Sequence, residues 1–184
     1  MELQSNDIAQ ELALLHSLHG GDYSRQLENI AERSEFHPLK GEDGILVCGG
    51  DGDSDYGNLL NAARKAVFHG YNVYILPNPK SIRTPDFIFE QKGIYRAYDL
   101  KTIIGKNSAI NRLRESIGQT NRVLLNMRSE YKAKVLALDI QVFFQTSPDA
   151  LEVLVFKGRK CISIKRNMAM SRQFLTTFRK LYER

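Results

Sequence analysis

The sequence predicts an α/β fold, with α+β as the alternative: a central mixed sheet flanked by helices, a hairpin at its middle, and a helical extension ahead of it. Three observations carry this expectation. From Gly44 onward, short apolar runs alternate with segments of helical period. Two pairs of apolar arms are separated by turn signals, "EQKG" at 90–93 and "KG" at 157–158. The first forty residues show helical periodicity alone. At 184 residues and 42% hydrophobic content, the chain can bury a substantial core.

In "NDIAQELALLHSLH", Asn6 is the expected cap, and Ile8, Leu12 and Leu15 recur at helical spacing. Gly20 and Gly21 break that helix, "YSRQLENIAERS" forms a second, and "HPLKGEDG" reads as loop. The expected division is a helical extension over 1–40 and an α/β domain over 41–184. In that domain "ILVCG" is a buried strand, "YGNLLNAARKAVFHG" a helix closed by Gly70, and "NVYILP" a strand. The hairpin "TPDFIFEQKGIYRAYDLKT" comes next, then "NSAINRLRESIGQ" as a helix capped by Asn107 or Ser108 and the strand "RVLLN". "SEYKAKVLALDIQVFF" reads as helix, "LEVLVFKGRKCISIKR" as a hairpin, and the end of the chain as a basic helix.

No apolar run approaches the roughly 20 residues that a membrane helix needs, and "MELQSNDIAQ" lacks the basic and apolar regions of a signal peptide. A soluble chain acting in the cytoplasm is the expectation. Cys48 and Cys161 are the two cysteines, each in an apolar run without CxxC spacing, so both are expected as buried free thiols and zinc-cysteine chemistry is excluded. The formal charge is +5, and its placement is uneven. Residues 41–55 hold five acids and no base, whereas 157–184 hold nine bases against Glu183. A basic end of that density is the electrostatic footprint of a polyphosphate partner, with solvated helix faces as the alternative source of such runs.

Several motifs fail. "DGDSDYG" from Asp51 places Tyr56 and Ala62 where a calcium-binding EF-hand loop needs Gly and Glu. It reads as a solvated turn before a helix. "GGDGD" lacks the G-K-[ST] of a phosphate loop. His16, His19, His37 and His69 have no nucleophile motif beside them.

The hairpin from Thr84 to Thr102 carries chemistry its core does not need. Asp86 opens the first arm, and Asp99 and Lys101 lie near the end of the second. Residues two apart in a strand share a face, so Asp99 and Lys101 project together while Leu100 turns to the opposite, buried side. A turn near Gln91–Gly93 returns Asp86 to their neighbourhood. Two close carboxylates repel, and a hard divalent cation such as Mg²⁺ relieves the repulsion while keeping waters. A lysine on the same face can neutralise charge building on a phosphate. Asp86 and Asp99 are therefore the candidate metal ligands and Lys101 the candidate electrostatic catalyst. The following helix contributes Lys106, Arg112 and Arg114 against Glu115, and Ser108 near its start, as a phosphate-positioning set.

From Gly50 to Met127 the order of motifs resembles the tRNA-nuclease C-terminal domains of the contact-dependent growth inhibition toxin CdiA. The matching residues are Pro77, Pro85-Asp86, Asp99-Leu100-Lys101-Thr102, Ser108, Gln119 and Val123-Leu124-Leu125. The resemblance implies a PD-(D/E)xK-type endonuclease acting on RNA, tRNA in particular, with Gln119 ending its helix near Lys101 as a fourth catalytic residue. It also implies an acidic immunity protein as partner. In that group an acid on the helix before the hairpin often completes the metal site, but "YGNLLNAARKAVFHG" has none. Asn58, Asn61 or the upstream Asp55 would stand in its place. Two rivals remain: a metal-independent ribonuclease of the barnase, EndoU, colicin or RelE type, and a non-catalytic nucleic-acid-binding module of a mobile element.

Overall fold

The computed structural model describes residues 5–48, 55–79, 82–105 and 109–184. The chain forms two compact units, Met1–Asp99 with Gly118–Thr120, and Leu100–Ile117 with Asn121–Arg184. Each combines a mixed sheet with helices, which is the expected α/β class, and strands that neighbour one another follow chain order.

The first unit begins with α1 (Ser5–Leu14), a 3₁₀ turn over Leu15–Ser17, and α2 (Gly21–Ala31). Helix α1 starts at Ser5, so Asn6 lies inside the first turn and is not its cap. Ile8, Leu12 and Leu15 are buried, as their spacing predicts. The stretch expected as loop holds β1 (Phe36–Pro38), which pairs antiparallel with β2 (Ile45–Cys48). A three-residue edge strand tolerates Pro38 because an outer position leaves its missing N–H without consequence. Phe36 meets the Tyr74 ring edge-on at 5.3 Å, which holds the strand down.

Helix α3 (Tyr56–Phe68) crosses over to β3 (Asn72–Ile75), which runs parallel to β2. Ala62, Ala63 and Ala66 make its buried face. Gly70, at φ 81°, ends it: Tyr71 N–H reaches the Ala66 carbonyl at 3.1 Å and Gly70 N–H the Val67 carbonyl at 2.8 Å, a Schellman closure that needs a left-handed residue. Strand β4 (Phe87–Gln91) then pairs antiparallel with both β3 and β5 (Ile94–Ile103). Lys92 and Gly93 both have positive φ, 55° and 73°, the backbone that a two-residue hairpin loop requires. Ile88 and Ala97, partners in the β4–β5 register, are buried in one cluster with Ile8, Leu12, Leu15, Tyr23, Leu27 and Ile30. Helices α1 and α2 thus cover one face of the hairpin. Phe87, Phe89 and Tyr98 pack as aromatic neighbours at 4.9–5.3 Å between centroids.

The second unit contains α4 (Ala109–Glu115), β6 (Arg122–Met127), α5 (Ala133–Thr146), β7 (Glu152–Lys157), β8 (Lys160–Lys165), α6 (Arg166–Ala169) and α7 (Phe174–Glu183). Strand β7 runs parallel to β6 and antiparallel to β8. Helix α4 stops at Glu115, earlier than its periodicity suggests. Ser116 Oγ donates to the Leu113 carbonyl at 2.6 Å, and the next amides bond three residues back, so the turn tightens and ends. Helix α5 starts at Ala133 after Lys132, whose backbone is extended, and Ser129 upstream donates its hydroxyl to the Gly105 carbonyl at 3.0 Å. Cys48 is buried and Cys161 only half-buried; both thiols are free. Among the described residues no helix is long and apolar enough to cross a membrane.

Candidate active site

Asp86 lies immediately before β4, and main-chain bonds hold it on both sides. Its N–H donates to the Tyr98 carbonyl at 3.0 Å, and its carbonyl accepts from Leu76 N–H at 2.9 Å. The regular ladder pairs Phe87 with Tyr98 and would set Asp86 opposite Asp99. The bond to Tyr98 is one residue out of that register, the behaviour of a bulge, which re-aims a side chain where regular pairing ends. Thr84, 2% exposed, precedes it, with Oγ1 donating to the Pro77 carbonyl at 3.5 Å.

Asp99 is 1% exposed and its Oδ2 is sealed from solvent. It sits in a buried run, Ala97–Asp99, on a strand whose other charged and polar positions are only half-covered. By alternation it shares the face of Ala97, the side covered by α1 and α2. Burial of a carboxylate costs several kcal/mol unless cations or donors compensate it.

Gln119 does not end a helix. It is half-buried in the turn after α4, between Gly118 at φ 87° and Thr120. Thr120 Oγ1 donates to the Ala97 carbonyl at 3.2 Å and lies 3.4 Å from Tyr23 Oη. These bonds hook Gly118–Thr120 into the first unit, the unit of Asp86 and Asp99. Thr120 and Tyr23, which hold this turn, carry no motif and were not singled out from the sequence.

Lys101 follows Asp99 by two residues on β5 and is half-buried, as is Leu100, which begins the second unit and is not on a fully buried face. The stand-ins for the missing helix acid are partly accounted for. Asp55 sits at the N-cap of α3, where Asn58 Nδ2 donates to its Oδ1 at 2.5 Å, and Asn61 is half-buried on the same helix. Asp51 and Asp53 lie outside the described residues, as do Lys106 and Ser108.

Asp86 and Asp99 offer oxygen donors only, the set that a hard divalent cation takes. Among the described residues no group of three His, Cys, Asp or Glu side chains that could hold a metal ion is found. One or two carboxylates are what Mg²⁺ takes from a protein, the rest of its ligands being waters.

On α4, Arg112 and Arg114 are exposed, and Arg112 also pairs with Glu115 at 2.9 Å. Part of the basic chain end has structural work. The Arg166 guanidinium donates to the carbonyls of Phe144 (2.6 Å), Pro148 (2.8 Å) and Ala150 (3.2 Å), and also to that of Ser147. It closes the C-terminal end of α5, whose last carbonyls have no helical partner. Lys160 Nζ donates to the Tyr182 carbonyl at 2.9 Å. Lys165, Arg172, Lys180 and Arg184 are exposed. Arg166→Lys is expected to cost about 2 kcal/mol in urea denaturation, because an ammonium cannot serve those carbonyls from one planar fork.

No protein-family description matches the chain, and no curated protein does. Among solved structures, the CdiA-CT/CdiI toxin and immunity complex from Burkholderia pseudomallei is similar over 65% of this chain and 98% of that chain, at 16% identity and a TM-score of 0.41. A likeness that loose carries no argument about function.

Proposed function

We propose that the chain is a metal-dependent endonuclease of toxin type that hydrolyses phosphodiester bonds in RNA, with tRNA as the substrate class. The observation that carries this reading is Asp99: a carboxylate 1% exposed on β5, one step in the ladder from the bulged Asp86. A phosphate-cleaving site needs paired carboxylates, and the hairpin register sets these two at neighbouring ladder positions. A bound Mg²⁺ would supply Lewis acidity and an activated water. Asp86 and Asp99 hold and orient that ion. Lys101, two residues along the same strand, offsets negative charge gathering on the attacked phosphate. Gln119, anchored through Thr120, donates its amide to a phosphate oxygen or to water. Arg112 and Arg114, with Lys106 and Ser108, position the strand through its phosphates without reading sequence. An acidic immunity protein is the expected partner, its charge complementary to the basic chain end.

The test is cleavage of end-labelled tRNA and of duplex DNA by purified protein, with and without EDTA, alongside Lys101→Ala. Expected is tRNA cleavage that EDTA stops and Mg²⁺ restores, with Lys101→Ala slower by about 10²–10³-fold. EDTA-resistant cleavage sinks the metal mechanism in favour of a metal-independent ribonuclease. Salt-sensitive binding without turnover selects the non-catalytic module instead.

A further inference from the structure

Helix α5 is apolar on two opposite faces. Ala133, Leu136, Ala137, Ile140, Phe143 and Phe144 are buried and make its inner side. At 3.6 residues per turn, Val135, Leu138 and Val142 fall within roughly 60° of one another, opposite that inner side. They are 42%, 42% and 37% exposed. An outer helix face is ordinarily polar, and single exposed apolar residues are common. Three at i, i+3 and i+7 differ from such scatter, because that spacing is the seam on which one helix receives the apolar edge of another.

The surroundings extend the seam and give it a sign. Gln141, on the flank of α5, donates its Nε2 to the Ala169 carbonyl at 2.9 Å, and the next residue, Met170, is 47% exposed. An unbranched thioether adapts to whatever packs on it. Lys132 and Lys134 are exposed and lie on either side of the seam at its N-terminal end. Asp139 is the one acid of the helix; it is half-buried and accepts from Tyr131 Oη at 3.0 Å. Glu130, ahead of the helix, pairs with Lys157 at 3.6 Å, and Asp149 stands past the far end. The charge offered beside the seam is therefore basic.

A second copy of the chain would set the same lysines against that seam, with no exposed acid on α5 to answer them. A membrane surface takes helices that sink a whole apolar face beneath a polar face rich in Lys and Arg. Helix α5 brings two lysines and is locked through its inner side into the core that holds Ile164 and Phe178. A helix with an apolar stripe and acidic flanks matches both the spacing and the charge.

We propose that the outer face of α5 is a docking surface for an acidic amphipathic helix of a partner protein. The apolar residues of that helix pack on Val135, Leu138 and Val142, and its carboxylates meet Lys132 and Lys134. This goes beyond the proposed nuclease reaction and does not rest on it.

The experiment titrates the full chain into a fluorescein-labelled three-heptad peptide with Leu along its seam and Glu at the flanking positions, and into its counterpart with Lys at the flanks, followed by anisotropy. Both titrations are repeated with Leu138→Ser and Lys134→Glu, with thermal melts of each. Expected is saturable binding of the acidic peptide, about tenfold or more tighter than that of the basic one, and weakened about tenfold or more by Leu138→Ser. Lys134→Glu leaves the seam whole, and it is expected to weaken the acidic peptide while strengthening the basic one. Both substitutions fall on exposed positions, so both variants are expected to melt close to the parent. Absence of saturation, equal affinity for the two peptides, or binding unchanged by either variant overturns the proposal. A dimer in sedimentation velocity that Leu138→Ser dissociates overturns it in favour of a second copy. Flotation with phosphatidylserine vesicles that Leu138→Ser abolishes overturns it in favour of a lipid surface. A Leu138→Ser melt well below the parent also overturns it, since Leu138 would then serve the fold. No nuclease activity enters the readout, so failure here leaves the proposed reaction untouched.

Discussion

Asp99→Asn is expected to reduce tRNA cleavage by on the order of 10³-fold or more, and Asp86→Asn by a similar factor. The double variant is expected to be little worse than either single one, because two ligands of one ion act as a unit and the first loss already removes what the second supports. Asn keeps the shape of Asp and removes its charge, so the effect tests the carboxylate and not the packing around it. Circular dichroism checks that the fold persists. Calorimetry with Mn²⁺ or Mg²⁺ gives a readout apart from turnover: the parent binds, and Asp99→Asn binds far more weakly. Parental cleavage rates in Asp99→Asn would remove the candidate site altogether. Additive losses would point to two groups with separate roles.

The second large effect concerns stability. Phe174, Phe178 and Tyr182 recur every four residues along α7, all buried, with ring centroids 5.6 Å and 5.3 Å apart. They belong to the same core as Phe143 and Phe144 of α5 and Ile162 and Ile164 of β8. Phe178→Ala should therefore cost about 3–5 kcal/mol, the transfer cost of the ring plus the cavity it leaves. Leu181, on the same helix but 46% exposed, is the control, and Leu181→Ala should change stability by less than about 0.5 kcal/mol. Urea denaturation followed by circular dichroism measures both. A loss below about 1 kcal/mol for Phe178→Ala would mean that α7 is dispensable to the second unit.

Periodicity made much of this fold legible. Ile8, Leu12 and Leu15 could be assigned to a core because helical spacing and burial coincide there, and the turn at Lys92–Gly93 because a two-residue loop selects positive φ. What escaped was set by tertiary bonds with no sequence period. Phe36–Pro38 is too short to show alternation and becomes a strand only beside β2. Ser116 ends α4 by bonding the Leu113 carbonyl, a choice that local propensity does not reveal. Arg166 reads as one more base in a basic tail, yet its guanidinium is spent on the end of α5. Of the candidate site, the order Asp86, Asp99, Lys101 was visible as a motif, and the hairpin register sets Asp86 and Asp99 at neighbouring ladder positions. The burial of Asp99 was not visible, because burial depends on tertiary packing that a strand pattern does not carry, and Gln119 was misplaced because the helix before it stops early.

The cover over the hairpin face has a further consequence in time. Ile8, Leu12 and Leu15 leave the ribosome long before Ile88 and Ala97, the residues they pack against. Closing so long a loop is entropically costly and slow compared with helix formation, so α1 and α2 must exist for a while as amphipathic helices with nothing to cover. The interval ends only when the strand bearing Asp99 is in place. The face of the hairpin built by Ile88 and Ala97 is therefore covered only after β5 has emerged, while the strands of the second unit are still to be made.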